Sequence, residues 1–253
     1  MFHRNETFSS YIRNYPVITA IIATNVIIYF LFLIIPYGSW LHYSGMGWNA
    51  AILAGEYWRL VTPIFLHGGL FHLFSNMFAL LIFAPALEVM LGKRKFVTIY
   101  LISGVLANVA TLFLESPSYT HVGASGSIFG LFGIFLFMYL YRKDLMDSQS
   151  GQTILPIIII SVIMTFVGAH INIFAHLFGL LFGFLLAPSF LKGARPFYSH
   201  QTTSRVRRAY FDDDEIQFNP QRWKRANSNR KLKKVLWVLA AIIAIILLGT
   251  IQL

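Results

Sequence analysis

No cysteine occurs among the 253 residues, which removes disulfides, thiolate nucleophiles and thiolate metal sites together and leaves Ser, His and carboxylates to carry any chemistry. Charge is scarce as well: Asp, Glu, Lys and Arg make up 12% of the chain, and only 10 of these residues are acidic. A water-soluble globule needs charge over most of its surface, so this composition argues against one. The first apolar run is not followed by a small-residue cleavage site, and it is read as a retained span. No internal repeat is evident.

What the chain has in abundance is apolar sequence, 57% of all residues. A membrane-crossing helix needs about 20 apolar residues. Seven stretches qualify or come close: 16–36, 70–91, 96–114, 125–141, 154–168, 171–191 and 235–251. The fourth and fifth are short, as expected of interior helices shielded from lipid by their neighbours. Nineteen of the 20 Lys and Arg fall on alternate connections, including twelve between Lys192 and Lys234, and only Arg59 lies on the other side. The positive-inside rule therefore puts the N-terminus in the cytoplasm and the C-terminus outside.

The expected fold is an all-α polytopic membrane bundle. Residues 1–191 form a six-helix core, 192–234 a basic cytoplasmic linker and 235–253 an accessory seventh transmembrane helix. The net charge of +10 resides mostly in that linker, where anionic lipid headgroups are the natural partner. It lacks the aromatic interleaving of a nucleic-acid site.

Strongly polar side chains within spans are costly and mark function. Here they include Asn25, His72, Asn76, Glu88, Asn108, Ser125, Ser127, His170, Asn172 and His176. Ser125, Asn76 and His176 each lie 16 or 17 residues from a basic residue at the cytoplasmic end of their span, roughly 24 to 26 Å along a helix. His72 sits one turn beyond Asn76 on the same face. Polar groups from three spans thus converge at one level near the outer face.

Small residues indicate how those spans meet. Gly126, Gly130 and Gly133 follow Ser125, and Gly179 and Gly183 follow His176, at spacings of three and four. Such stripes let two helix backbones pack closely, which brings Ser125 near His176. A serine hydroxyl needs a neighbouring base to become a nucleophile, and imidazole serves near neutral pH. With no carboxylate at that depth, the expectation is a dyad whose ring is oriented by packing. His72, Asn76 and the Ser125 backbone N–H could stabilise an oxyanion. Gly123 and Gly126 leave room for a reacting carbonyl. Ser127 competes as a nucleophile but points about 200° away.

Together these residues resemble the rhomboid family of intramembrane serine proteases. The match runs through Trp58 and Arg59, His67, His72 and Asn76 as H-x-x-x-N, Glu88, Gly123 to Gly126 as G-x-S-G, and Ala175, His176, Gly179 and Gly183 as A-H-x-x-G-x-x-x-G. It covers about residues 15–190, and the seventh span resembles a six-plus-one arrangement. The resemblance implies a serine endopeptidase with nucleophile Ser125 and base His176. Its oxyanion hole would comprise His72, Asn76 and the Ser125 backbone. Trp58 and Arg59 would brace the outer loop and Glu88 would be a structural hydrogen-bonding residue, while Phe129 would stack on the histidine. Substrates would be membrane proteins whose transmembrane segment is cut near the outer face, at a small residue where the helix unwinds easily, without a cofactor. The absence of cysteine and of any organelle-targeting signal points to a bacterial plasma membrane. Three other readings compete: a metal site of His67, His72 and His176, which lacks a carboxylate ligand, a client-binding pseudoprotease, and a transporter or channel, for which charged pairs along the spans are missing.

Overall fold

The structure, a computed structural model, describes residue 2, residues 6–168 and residues 171–197. Most of the linker expected over 192–234, and the whole seventh span expected over 235–251, lie outside the described residues. A backbone crossing lipid must satisfy its own hydrogen bonds, and each apolar run of the core is helical accordingly. A short helix α1 (Phe8–Asn14) leads into α2 (Pro16–Ile34), whose first-turn proline needs no hydrogen-bond donor. The connection that follows is built from α3 (Gly38–Gly45), strand β1 (Gly47–Trp48), α4 (Asn49–Leu53) and two 3-10 turns, Tyr57–Leu60 and Thr62–Phe65. Next come α5 (Leu70–Leu91) and α6 (Lys93–Leu114), strand β2 (Thr120–His121), α7 (Ser125–Tyr141), α8 (Ser148–Val167) and α9 (Ile173–Phe190).

Among the described residues, α2, α5, α6, α8 and α9 are long and apolar enough to cross a membrane, and α7 is a shorter apolar helix. Large apolar side chains left exposed on these helices, such as Phe30 and Leu33 on α2 or Ile160 and Ile163 on α8, suit contact with lipid tails. The chain is a multi-pass membrane protein. Its long connection is ordered by secondary structure of its own, and the all-α expectation gains one small exception: β1 pairs antiparallel with β2 through Gly47–His121 and Trp48–Thr120.

The expected span boundaries shift in several places. The first ends at Ile34 instead of 36, the third begins at Lys93 instead of 96, and the sixth runs Ile173–Phe190 instead of 171–191. The fifth changes most, starting at Ser148 instead of 154 and reaching 20 residues, so it is not short. Polar Gln149, Ser150, Gln152 and Thr153 read as loop, but they form the first turns of a helix capped by Asp147. That carboxylate accepts hydrogen bonds from Ser150 N at 2.8 Å and Ser150 Oγ at 2.7 Å. The turn expected near 168–171 falls partly on residues 169 and 170, outside the described residues.

Among the described apolar helices of the bundle, α7 is the short one, and its surroundings explain why. Twelve of its 17 residues are buried, so protein replaces lipid around it. At ~1.5 Å per residue it spans about 26 Å against a hydrocarbon core of about 30 Å. Ile134, Phe135 and Met138 of α7 and Phe96, Ile99 and Tyr100 of α6 are almost fully enclosed.

Glycines set the distance between α7 and α9. A side chain at Gly183 would collide with the backbone of Gly130, whose Cα lies 2.7 Å from the position a Cβ would take. Gly179 faces the carbonyl of Gly126, and Gly133 faces the backbone of α9 at Leu180 and Phe184. The stripe on α7 serves two neighbours, since Gly126 also approaches Ala107 and Gly130 meets Ser103, both on α6.

Overpacking of this kind costs about 1–3 kcal/mol. Gly183→Ala should therefore lower the unfolding temperature of the detergent-purified protein. Gly69→Ala should leave it unchanged, because that position has extended backbone and open space around it.

Candidate active site

Ser125 is the first residue of α7, so its backbone N–H belongs to the helix-start donors that have no partner within the helix. His176 lies in the first turn of α9, which Asn172 caps by accepting a hydrogen bond from Ala175 N at 2.9 Å. Both side chains are half-buried. The glycine contact sets these two helix starts against each other, with the Ala175 carbonyl 3.6 Å from where a Cβ on Gly126 would stand. One turn into α7, the ring of Phe129 stacks on His176 with centroids 4.1 Å apart and planes 15° from parallel. That ring therefore lies on the imidazole face.

The other face of the site comes from α5. The backbone of Gly123 has φ +131°, a conformation that favours glycine. The place its Cβ would occupy is 2.7 Å from His72 Nε2 and 3.7 Å from Ser125 Oγ. Any side chain there would push the histidine away from the serine. Asn76 is buried one turn further along α5 and donates from Nδ2 to the His72 carbonyl at 2.8 Å. That single bond leaves the second amide proton available. Ser127 is placed elsewhere: it is fully buried, and its hydroxyl packs against Gly104 of α6.

Trp58, Arg59 and Glu88 do not join this group. Arg59 is 4% exposed and stitches the connection together, with Nε donating to Glu56 Oε2 at 2.6 Å and Nη1 donating to the Tyr43 and Met46 carbonyls at 2.8 Å. Trp58 is exposed and donates from Nε1 to the Ser44 carbonyl at 3.2 Å. Glu88 lies three helical turns beyond Asn76 on α5. Its carboxylate accepts the N–H groups of Val17 and Ile18 at 3.0 and 2.8 Å, capping the start of α2 with negative charge. Within the connection, Asn49 donates to the Ser116 carbonyl at 3.0 Å and Asn108 to the Leu60 carbonyl at 2.9 Å, which fixes the connection to the bundle.

One polar contact at His176 was not read from the sequence. Thr165, near the end of α8, places its hydroxyl oxygen 2.8 Å from His176 Nδ1. Threonine in a span usually bonds back to its own helix and carries no charge to flag it. Its distance from the end of α8 would have placed it at the level of Ser125 and His176.

His67 is 2% exposed, and neither ring nitrogen has a hydrogen-bond partner among the described residues. Its ring meets His72 edge-on at 5.1 Å. Burial, and to a lesser degree His72 and His42 nearby, push the His67 imidazole down to about 3. Burial alone pushes His121, in β2, down to about 4. Among the described residues, no three His, Asp or Glu side chains gather as a metal site would require.

The unfolded chain binds protons at these histidines near pH 6.5 and the folded chain only near 3 to 4. Their contribution to stability is thus complete above about 6.5 and is lost as pH falls toward the folded values. Thermal unfolding in detergent at about pH 7.5 and about pH 5 should show a marked drop for the natural protein and a smaller one for His67→Phe.

The Rhomboid domain family matches residues 54–193, more than half of the chain. The protein named "Putative rhomboid protease YdcA" of Bacillus subtilis (strain 168) is 45% identical over 189 residues, covering 74% of this chain and 94% of that protein. "Rhomboid protease GluP" of the same organism is 40% identical over 139 residues, 55% of this chain and 27% of its own length. "RHOMBOID-like protein 6, mitochondrial" of Arabidopsis thaliana is 36% identical over 146 residues, covering 56% of this chain and 47% of that protein. This chain therefore spans about a quarter and about half the length of these last two relatives. The helical membrane bundle, the helix starts carrying Ser125 and His176, and a relative matched over nearly its whole length lead to one conclusion: the chain belongs to the rhomboid family of intramembrane serine proteases.

Proposed function

We propose that this protein cuts transmembrane segments of membrane-protein substrates near the outer face, using Ser125 as nucleophile and His176 as general base. The observation that carries the proposal is the glycine-mediated approach of the first turns of α7 and α9, with Phe129 holding the imidazole face-on. In this reading His176 Nε2 takes the proton from Ser125 Oγ as the oxygen attacks the scissile carbonyl. The same nitrogen then gives the proton to the departing amine, leaving an acyl-serine that water hydrolyses. The Ser125 backbone N–H, the free amide proton of Asn76 and His72 are the donors for the oxyanion. A helical peptide bond is shielded by its own hydrogen bonds, so the substrate segment unwinds before it is cut.

The reading extends to the organisation of the chain. Residues 1–191 are the catalytic unit, in a bacterial plasma membrane with the N-terminus cytoplasmic and the C-terminus outside. The basic 192–234 linker meets anionic headgroups, and the 235–253 segment completes a six-plus-one arrangement.

The test is cleavage of a tagged single-span substrate by the detergent-purified protein. Ser125→Ala and His176→Ala should each reduce turnover about a thousandfold or more, and Asn76→Ala about a hundredfold. Full activity in either dyad variant would refute the assignment.

A further inference from the structure

The imidazole of His176 is held on two sides, by the Phe129 ring on its face and by Thr165 at Nδ1. Its Nε2 has no partner among the described residues. Thr165 is itself 1% exposed, and its Oγ1 lies 2.9 Å from the Ser161 carbonyl, one turn back on α8. These two distances determine where the protons sit. A hydroxyl has one proton to give, and a carbonyl oxygen can only accept. If Thr165 donates to Ser161, its lone pairs accept from His176 Nδ1–H and both hydrogen bonds are made. If it donates to Nδ1 instead, the contact with Ser161 is lost. The first arrangement satisfies more of the buried polar atoms.

We propose that Thr165 is a positioning residue for the dyad: it holds His176 as the tautomer with its proton on Nδ1, leaving the bare Nε2 to receive the Ser125 proton. The inference rests on the dyad reading and supplies what a carboxylate provides in a triad, an acceptor for the second ring nitrogen. A neutral hydroxyl fits a site inside a membrane because it orients the ring without placing a charge in a low-dielectric interior. When Nε2 becomes protonated, the Nδ1–H bond to Thr165 persists, so the ring keeps its place until it passes that proton to the leaving amine. The orienting group stands on α8, and the tautomer is thereby set by a third helix beyond the two that carry the dyad.

The test compares full-length Thr165→Val and Thr165→Ser with the natural protein, using cleavage kinetics and nitrogen NMR of histidine-labelled protein in detergent, with the His176 signal assigned from His176→Gln. Valine matches threonine in shape and lacks the hydroxyl. It should lower kcat about tenfold, the rate equivalent of one neutral hydrogen bond, leave KM unchanged, and remove the Nδ1-protonated signal of His176. Serine should restore both rate and signal. Unchanged kcat in Thr165→Val, an equal loss in Thr165→Ser, or a loss with the Nδ1–H signal intact would each overturn the proposal. Ser125→Ala, run alongside, separates the two ideas. An inactive Ser125→Ala beside a fully active Thr165→Val removes only Thr165's role, whereas an active Ser125→Ala removes the dyad and that role with it.

Discussion

The approach of α7 to α9 is the constraint on which the rest of the structure depends. Lipid tails are as apolar as leucine, so helices in a bilayer gain little from hydrophobic burial against each other and rely on close packing instead. Here the packing is backbone on backbone, because Gly126, Gly130, Gly133, Gly179 and Gly183 leave no side chain between the helices. The same contact sets the first turns of α7 and α9, which carry Ser125 and His176, against each other. The same closeness surrounds α7 with protein, which frees it from the length a lipid-facing span requires.

Polar atoms in such a bundle must be satisfied locally, and the chain does this with few charges. Glu88 caps α2 with a carboxylate, Asp147 and Asn172 cap α8 and α9, and Asn49 and Asn108 fasten the connection to α6 and the loop after it. The buried Arg59 binds the connection to itself through three hydrogen bonds. These contacts fix the surroundings of Ser125 and His176.

Much of this was legible in the sequence because membranes simplify the code. Long apolar runs can only be helices, basic residues mark one end of them, and counting from those anchors put Ser125, Asn76 and His176 at one level. Glycine spacing identified the pair of helices that touch. Boundaries were less legible where polar residues begin a helix, as at Ser148, because a composition reading counts them as loop while the Asp147 cap makes them helical. The paired strands β1 and β2 are too short to leave a periodic signal. Thr165 escaped for another reason: nothing in its own sequence neighbourhood distinguishes a threonine bonded to its own helix from one that also reaches a neighbour, and here it does both.

The central claim is that helix packing activates one serine among several. It is tested most directly by treating the detergent-purified protein with a fluorophosphonate and locating the adduct by mass spectrometry of its peptides. Modification at Ser125 that disappears in His176→Ala is the predicted result. An adduct at Ser127 or another serine, or labelling of Ser125 that proceeds equally without His176, would contradict it.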